Sequence, residues 1–364
     1  MNRRTLFGAA AALAAAIGLA GCKDDTASTP QAAAEPAQSF HWKMVTAWPK
    51  NYPGLGTSAE RLAERVNAMS NGRLTIKVYA GGELVPPLEV FDAVSRGTAE
   101  LGHGAAYYWK GKVPAAQFFT AVPFGLSTPE MNAWLSKGGG QALWDEAYAP
   151  FGVKPMVVGN TGMQMGGWFN KEINSLEDLK GLKIRTPGLG GEVFSRLGSI
   201  TVNLPGGEVF TALQTGAIDA TDWVSPYNDL AFGLHKAAKY YYYPGWQEPQ
   251  AVLELLINQK AFDSLPKDLQ AILTEAARAA SQDMMDDYVY HNATALDALK
   301  AQGTQLKRFP DEVLDAMQRE SEVVLGELAA QSELNGRIWA SMQAFQATVS
   351  EMHKLSEQEL YNWR

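Results

Sequence analysis

The sequence predicts a mixed α/β protein folded as two lobes with parallel strands. Three observations carry this expectation. From about Phe40 onward, short apolar runs alternate with amphipathic ones, the pattern of strand–helix–strand units. The alternation starts again near Val153, and the order of its runs suits strands that pass between two lobes more than once. With 364 residues, 46% hydrophobic and 19% charged, the chain is long and apolar enough to bury two cores.

In chain order, Phe40 to Trp48 reads as an apolar strand, stopped by Pro49-Lys-Asn-Tyr-Pro-Gly54. Leu55 to Met69 is an amphipathic helix with Leu62, Val66 and Met69 on one face. Asn71-Gly72 turns the chain into an alternating strand, Leu74 to Tyr79. Leu88 to Arg96 is a short helix ending at Gly97, and Ala99 to Ala105 is a small-residue strand opening into Tyr107-Tyr-Trp109. In the second half, strands are expected at Val153–Val158, Leu182–Thr186, Ile200–Asn203, Ile218–Trp223 and Ala251–Asn258. Helices fall at Val193–Leu197 and Gly207–Thr215, and Ser175-Leu-Glu-Asp178 is a capping box ahead of another. The last hundred residues turn helical. Leu269, Leu273, Ala276, Ala280, Met284 and Tyr288 form one stripe of a helix running from Ser264 to about Gln302, roughly 50 Å at 1.5 Å per residue. Two stacked helices bent near Met284-Met285 would give the same stripe. A further helix starts at Pro310, with an interruption expected at Asn335-Gly336 and continuation from Arg337 to Leu355.

The N-terminus reads as an export signal. Arg3-Arg4, an Ala-rich apolar stretch and Leu19-Ala-Gly-Cys22 follow one another, and the last four resemble a bacterial lipobox. Residues 1–21 are therefore expected to be a signal peptide, Cys22 a lipidated anchor to the membrane, and 23–39 a flexible tether. Cys22 is the only cysteine, which excludes disulfides, cysteine–zinc sites and thiol catalysis. A net charge of −8 without basic blocks excludes nucleic acid as a partner. The five histidines are scattered, and there is no GxSxG elbow, phosphate loop or dinucleotide fingerprint. A binding protein is expected, not an enzyme.

The candidate site combines Gly159-Asn-Thr-Gly-Met-Gln-Met-Gly-Gly-Trp168, Lys183-Ile-Arg-Thr-Pro187 and Ile218-Asp-Ala-Thr-Asp-Trp223. These place an amide (Gln164), a guanidinium (Arg185) and a carboxylate (Asp222) at predicted strand ends. The glycines beside Gln164 would leave room for something small against the backbone. Arg185 offers a planar fork that matches a carboxylate. Asp219 and Asp222 lie on opposite sides of their strand, so one can point inward. Glu248, after Tyr240-Tyr-Tyr-Tyr-Pro-Gly-Trp246, is a second carboxylate beside aromatic walls. An inward Asp222 or Glu248 should meet Arg or a metal, because an isolated buried carboxylate is expensive. Taken singly, each residue also has an ordinary structural explanation: a surface salt bridge for Arg185, backbone pairing for the amide of Gln164, layer packing for the tyrosines.

Gly81-Gly-Glu-Leu84, Ala121-Val-Pro-Phe-Gly125, Lys180-Gly-Leu-Lys-Ile-Arg185, Ala212-Leu-Gln-Thr-Gly-Ala-Ile-Asp-Ala220 and the long C-terminal helices occur here as an ordered set. With them, residues 40–364 resemble the extracytoplasmic solute receptors of TRAP transporters. The Gln164 segment and the tyrosine run resemble the 2-oxo-acid and lactate branch. The resemblance implies a periplasmic-binding-protein-like fold of two lobes around hinge strands: residues 40–162 with 250–280, and 163–249. It implies a long helix spanning both, with residues 281–364 bracing the lobes and forming a homodimer contact. It further implies that Arg185 grips the carboxylate of a small 2-oxo acid and that Gln164 contacts both this acid and a metal. Asp222, the main-chain carbonyl of Trp223 and Glu248 would complete that metal site. Related receptors carry Glu where this chain has Asp222, which leaves the cation open between sodium, the first expectation, and calcium. Function would be capture by closure and delivery to TRAP permease subunits. Lactate, a larger or aromatic acid, or a lipid-anchored scaffold without transport are the alternatives.

Overall fold

The computed structural model describes residues 38–364; the expected signal peptide, Cys22 and most of the tether lie outside the described residues. The strands are β1 (Phe40–Thr46), β2 (Leu74–Tyr79), β3 (Leu101–Gly104), β4 (Val153–Asn160), β5 (Gly167–Phe169), β6 (Lys183–Arg185), β7 (Ile200–Val202), β8 (Ala220–Thr221), β9 (Tyr240–Tyr243), β10 (Val252–Asn258) and β11 (Gln305–Arg308). They form a five-stranded sheet, β2-β1-β3-β10-β4, and a six-stranded sheet, β11-β9-β5-β8-β6-β7. The helices are α1 (Leu55–Met69), α2 (Val90–Ser95), α3 (Thr128–Lys137), α4 (Gly140–Tyr148), α5 (Gly188–Arg196), α6 (Gly206–Gln214), α7 (Pro226–Phe232), α8 (Gln259–Ser264), α9 (Lys267–Ala301), α10 (Asp311–Ala330), α11 (Glu333–His353) and α12 (Glu359–Asn362).

The expected parallel pairing holds for β1 with β2 and β3, for β6 with β7 and β8, and for β9 with β11. One strand runs backwards in each sheet. β10 is antiparallel to β3 and β4, and β5 is antiparallel to β8 and β9. These two strands arrive directly from the other sheet; β11 also crosses over, but only after α8 and α9, and it runs parallel to β9. Both β5 and β10 enter from the cleft and run away from it, while their neighbours run toward the cleft and end there. Strand ends of an open sheet thus face the space between the lobes, where ligands of such folds bind.

Helix α9 runs 35 residues as one helix, roughly 52 Å, and its predicted stripe is buried as expected. It packs on β4 and α1 of the first lobe and on α7 of the second. α10 packs on α5, where Arg196 pairs with Glu327, and α11 packs on α4, where Arg337 grips Glu146 at 2.7 and 2.9 Å. The C-terminal helices therefore contact both lobes.

Several local expectations change. The interruption between α10 and α11 falls at Gln331-Ser332, because Ser332 caps α11 through the Asn335 N–H at 3.1 Å; Asn335-Gly336 lie inside its first turn. The Ser175–Asp178 capping box is made, but it opens only a 3₁₀ turn, Leu176–Leu179. The strand expected over Ile218–Trp223 shrinks to β8, and Asp222-Trp223 leave the sheet at its C-terminal end. β11, an edge strand between two helices, had not been expected. α3 was also not foreseen, although Ser127 and Glu130 form a capping box at its start.

The Leu273 side chain under α9 is fully buried, whereas Leu360 in the tail is half exposed. Leu273→Ala should lower unfolding free energy by about 2–5 kcal/mol and Leu360→Ala by less than about 0.5 kcal/mol, as read by urea denaturation.

Candidate functional site

Only two stretches carry β4 into β5 and β9 into β10, and they cross the cleft side by side. The Gln164 N–H donates to the Glu248 carbonyl at 3.2 Å and the Thr161 N–H to the Ala251 carbonyl at 3.0 Å. Asn160 Nδ2 donates to Gln250 Oε1 at 2.7 Å. At Gly245 the approach is so close that a Cβ would stand 2.1 Å from the Gln164 carbonyl oxygen. The crossing brings Gln164 and Glu248 together although 84 positions separate them in the sequence.

The second lobe supplies the other half. Arg185 ends β6 and Asp222 follows β8, its parallel neighbour. The Asp222 N–H donates to the Arg185 carbonyl, and Arg185 Nη1 donates to the Asp222 carbonyl, both at 2.9 Å. Arg185 Nε donates to the Leu204 carbonyl at 3.2 Å and Nη2 reaches the Tyr108 hydroxyl at 3.5 Å. The Trp223 ring lies 5.1 Å from the guanidinium carbon. All five predicted residues are buried: Gln164 3%, Arg185 1%, Asp222 1%, Trp223 4% and Glu248 3% exposed. As anticipated, Asp219 faces outward, meeting Lys171 at 3.6 Å, while Asp222 faces in.

Of the glycines around Gln164, Gly162 leaves open space, a Cβ there meeting nothing closer than Met285 at 3.9 Å, whereas Gly166 and Gly167 do a different job from the one expected. A Cβ at Gly166 would stand 2.5 Å from the Phe309 ring, and one at Gly167, φ 110°, would stand 2.6 Å from the Thr221 carbonyl. The room they leave is filled by protein.

Arg185 has no carboxylate within salt-bridge distance among the described residues, and its recorded partners are neutral oxygens. Burial works against its charge, but Tyr108, Asp222 and Tyr107 outweigh it and raise its pKa. Burial pushes Asp222 up to about 6, against Arg185 and hydrogen bonds from Gln247 and Thr186. Burial, and next the Asp222 charge, hold Glu248 well above the usual carboxylate range. At this site four buried acceptor oxygens lack a donor: Gln164 Oε1, Asp222 Oδ1, Gln247 Oε1 and Glu248 Oε2. Such oxygens suit a hard cation. No group of three or more His, Cys, Asp or Glu gathers among the described residues, so a cation here would rest on two carboxylates and neutral oxygens.

Sequence reasoning missed Tyr107, Tyr108, Thr186 and Gln247. The tyrosines follow β3 as Asp222 follows β8, so the same strand-end rule would have found them. An open cleft of about 720 Å³ between α3, β4 and α9, lined by Lys137, Lys154, Arg278 and Met285 among others, includes none of the site residues.

Two other buried carboxyls show by contrast what a structural one looks like. Glu254 accepts from Trp109 Nε1 at 2.6 Å and the Tyr148 hydroxyl at 2.9 Å; Asp229 accepts from the Tyr241 hydroxyl, Trp168 Nε1 and the Val224 N–H at 2.6, 2.9 and 3.2 Å. Both oxygens of each are satisfied. Burial pushes Glu254 up to about 8 from 4.5. The folded state therefore binds a proton the unfolded state has released, and stability is full below about 4.5 and lost as pH rises through about 8. Thermal scans from pH 5 to 9 should show wild type losing stability relative to Glu254→Gln; a constant offset would mean that Glu254 does not titrate in this range.

Residues 44–332 match the family model DctP, described as bacterial extracellular solute-binding protein, family 7. The chain is 44% identical over its full length to a monocarboxylate 2-oxoacid-binding periplasmic protein of Nostoc sp., covering 99% of that protein. It is similar to a TRAP periplasmic solute binding protein of Pseudoalteromonas atlantica solved with sodium and pyruvate, at 42% identity and TM-score 0.87, covering 89% of this chain and 99% of that one. A TRAP periplasmic solute binding protein of Colwellia psychrerythraea solved with calcium and pyruvate shares 42% identity at TM-score 0.88, covering 90% of this chain and 100% of that one.

Proposed function

Because the chain belongs to the DctP-type bacterial extracellular solute-binding proteins, the receptors of TRAP transporters, we propose that it captures a small 2-oxo monocarboxylate of the pyruvate type together with a sodium or calcium ion. A receptor of this family binds solute and is not an enzyme. One observation carries the ligand reading: a fully buried arginine without a carboxylate partner stands beside four buried oxygens without donors. The first asks for an anion and the second for a cation.

In this reading Arg185 takes the acid's carboxylate through N–H groups not engaged by Leu204, Asp222 and Tyr108. Gln164 Oε1, Asp222 Oδ1, the Trp223 carbonyl and Glu248 Oε2 hold the cation, and Gln247 Oε1 joins them as an addition from the structure. A cation there neutralises buried carboxylate charge and offers the acid's carboxylate and 2-oxygen a shared partner. Three negative groups, Asp222, Glu248 and the ligand, face one arginine. Calcium balances the two charges that remain and sodium balances one, while the oxygen donors accept either. Chelation through the 2-oxygen selects 2-oxo and 2-hydroxy acids over plain carboxylates. Closure of the lobes on the loaded site gives the form presented to the membrane permease.

The sequence at Leu19-Ala-Gly-Cys22 supports a receptor held at the membrane by a lipid on Cys22 and a tether to Ser39. The tail supports a second copy as partner: Met352, Leu355, Leu360, Tyr361 and Trp363 are each more than half exposed, an apolar strip that water does not favour.

Calorimetry with pyruvate and either cation should show Arg185→Ala weakening binding at least 100-fold, from the loss of charge-assisted bonds worth about 1.5–3 kcal/mol each. Glu248→Gln should weaken calcium more than sodium. Unchanged pyruvate affinity in the arginine variant would remove Arg185 from the site. A thermal-shift panel with lactate and larger acids fixes the ligand's size, and no response to any acid would favour a scaffold. Removal of residues after His353 should convert a dimer to a monomer in sedimentation experiments; a full-length monomer would contradict the tail's role.

A further inference from the structure

Loop 49–54, between β1 and α1 of the first lobe, reaches across to the second lobe through Tyr52. Trp223 Nε1 donates to the Tyr52 hydroxyl at 2.8 Å, and that hydroxyl donates to the Asn228 carbonyl at 2.7 Å. Asn228 also closes the circuit from its side chain. Its Nδ2 donates to the Pro53 carbonyl at 2.7 Å, and its Oδ1 accepts from the Tyr288 hydroxyl of α9 at 2.5 Å. The Tyr52 ring packs 4.2 Å from Phe232, and the Trp223 ring 4.9 Å from the same residue. Tyr52 is 5% exposed, so its hydroxyl has exchanged water for these two partners.

Tyr52, Asn228 and Tyr288 are not among the residues assigned to the acid or the cation, whereas Trp223 belongs to both places. One face of its ring covers the Arg185 guanidinium at 5.1 Å, and its main chain continues from Asp222. On the α6 side there is no slack, since a Cβ at Gly206 would stand 2.3 Å from Trp223 Cη2. The indole is therefore held between α6, the guanidinium and a hydroxyl that belongs to the other lobe. The next residue along α7, Asp229, is tied to Trp168 and Tyr241 of the second sheet, so the Trp223–Asp229 segment moves with that lobe.

We propose that Tyr52 is a positioning residue for ligand capture: its hydroxyl bridges the lobes at Trp223 and Asn228 only when they are closed, and so holds Trp223 against Arg185 and the cation oxygens. This assignment rests on the acid-and-cation reading of the site. A bond made only in the closed form slows escape and leaves entry unchanged, so its loss appears in the dissociation rate.

The test compares wild type with Tyr52→Phe, which keeps the ring and the Phe232 contact, and Trp223→Phe, which keeps an aromatic face but no N–H. Stopped-flow fluorescence with calcium and pyruvate should show dissociation about three- to tenfold faster in Tyr52→Phe, the range of one or two neutral hydrogen bonds, with the association rate unchanged. The double variant should be no faster than the faster single variant. Calorimetry with calcium alone should show a similar loss of affinity. Unchanged dissociation and unchanged calcium affinity in Tyr52→Phe would overturn the proposal, as would fully additive effects. Wild type that binds calcium but not pyruvate would sink the functional reading, and a calcium defect in Tyr52→Phe would then still uphold the positioning role. Wild type that binds neither overturns both.

Discussion

Everything at this site depends on two connecting segments crossing the cleft in contact. The Gln164 N–H bonded to the Glu248 carbonyl, with Thr161 bonded to Ala251 beside it, fixes where one lobe meets the other. Gly245 is required there because any Cβ would collide with the Gln164 carbonyl. The same crossing explains the single reversed strand in each sheet, since β5 and β10 are the continuations of those segments. It also puts an amide and a carboxylate at the hinge itself, so whatever they bind lies where closure is decided.

Hydrogen-bond satisfaction divides the buried carboxyls into two kinds. Glu254 and Asp229 have donors on both oxygens and act as fixed parts of the core. Asp222 and Glu248 each keep one oxygen without a donor, in a site that already holds a buried arginine without a carboxylate partner. A folded protein rarely leaves so many groups unsatisfied in one place unless a ligand completes them. Burial raises the pKa of all four carboxyls, so that shift does not distinguish them; the free oxygens do.

Much of this was legible in order along the chain. Apolar alternation located most strands and the long helix, because periodicity reflects which face is buried. That one of Asp219 and Asp222 would turn inward and the other outward followed from their spacing; the structure decided that it is Asp222. The strand-end position of Arg185 followed from the change from Leu182-Lys-Ile to Thr-Pro-Gly. What stayed hidden were groups whose role depends on partners distant in sequence. Tyr108 reaches Arg185 across 77 positions and Tyr52 reaches Trp223 across 171. Gly166 and Gly167 were misread for the same reason: nothing local says that Phe309 and Thr221 fill the space beside them.

The sequence by itself determined most of the elements, the acidic and thiol-poor chemistry, the absence of a catalytic motif and the short set of candidate residues. These depend on local pattern and residue type. Tertiary structure alone decided that the candidates converge, that β5 and β10 reverse, and that Arg185 is buried with no carboxylate in direct contact. Those outcomes depend on which distant segments share a volume and on whether each polar atom there finds a partner, and neither is written in any single stretch of chain.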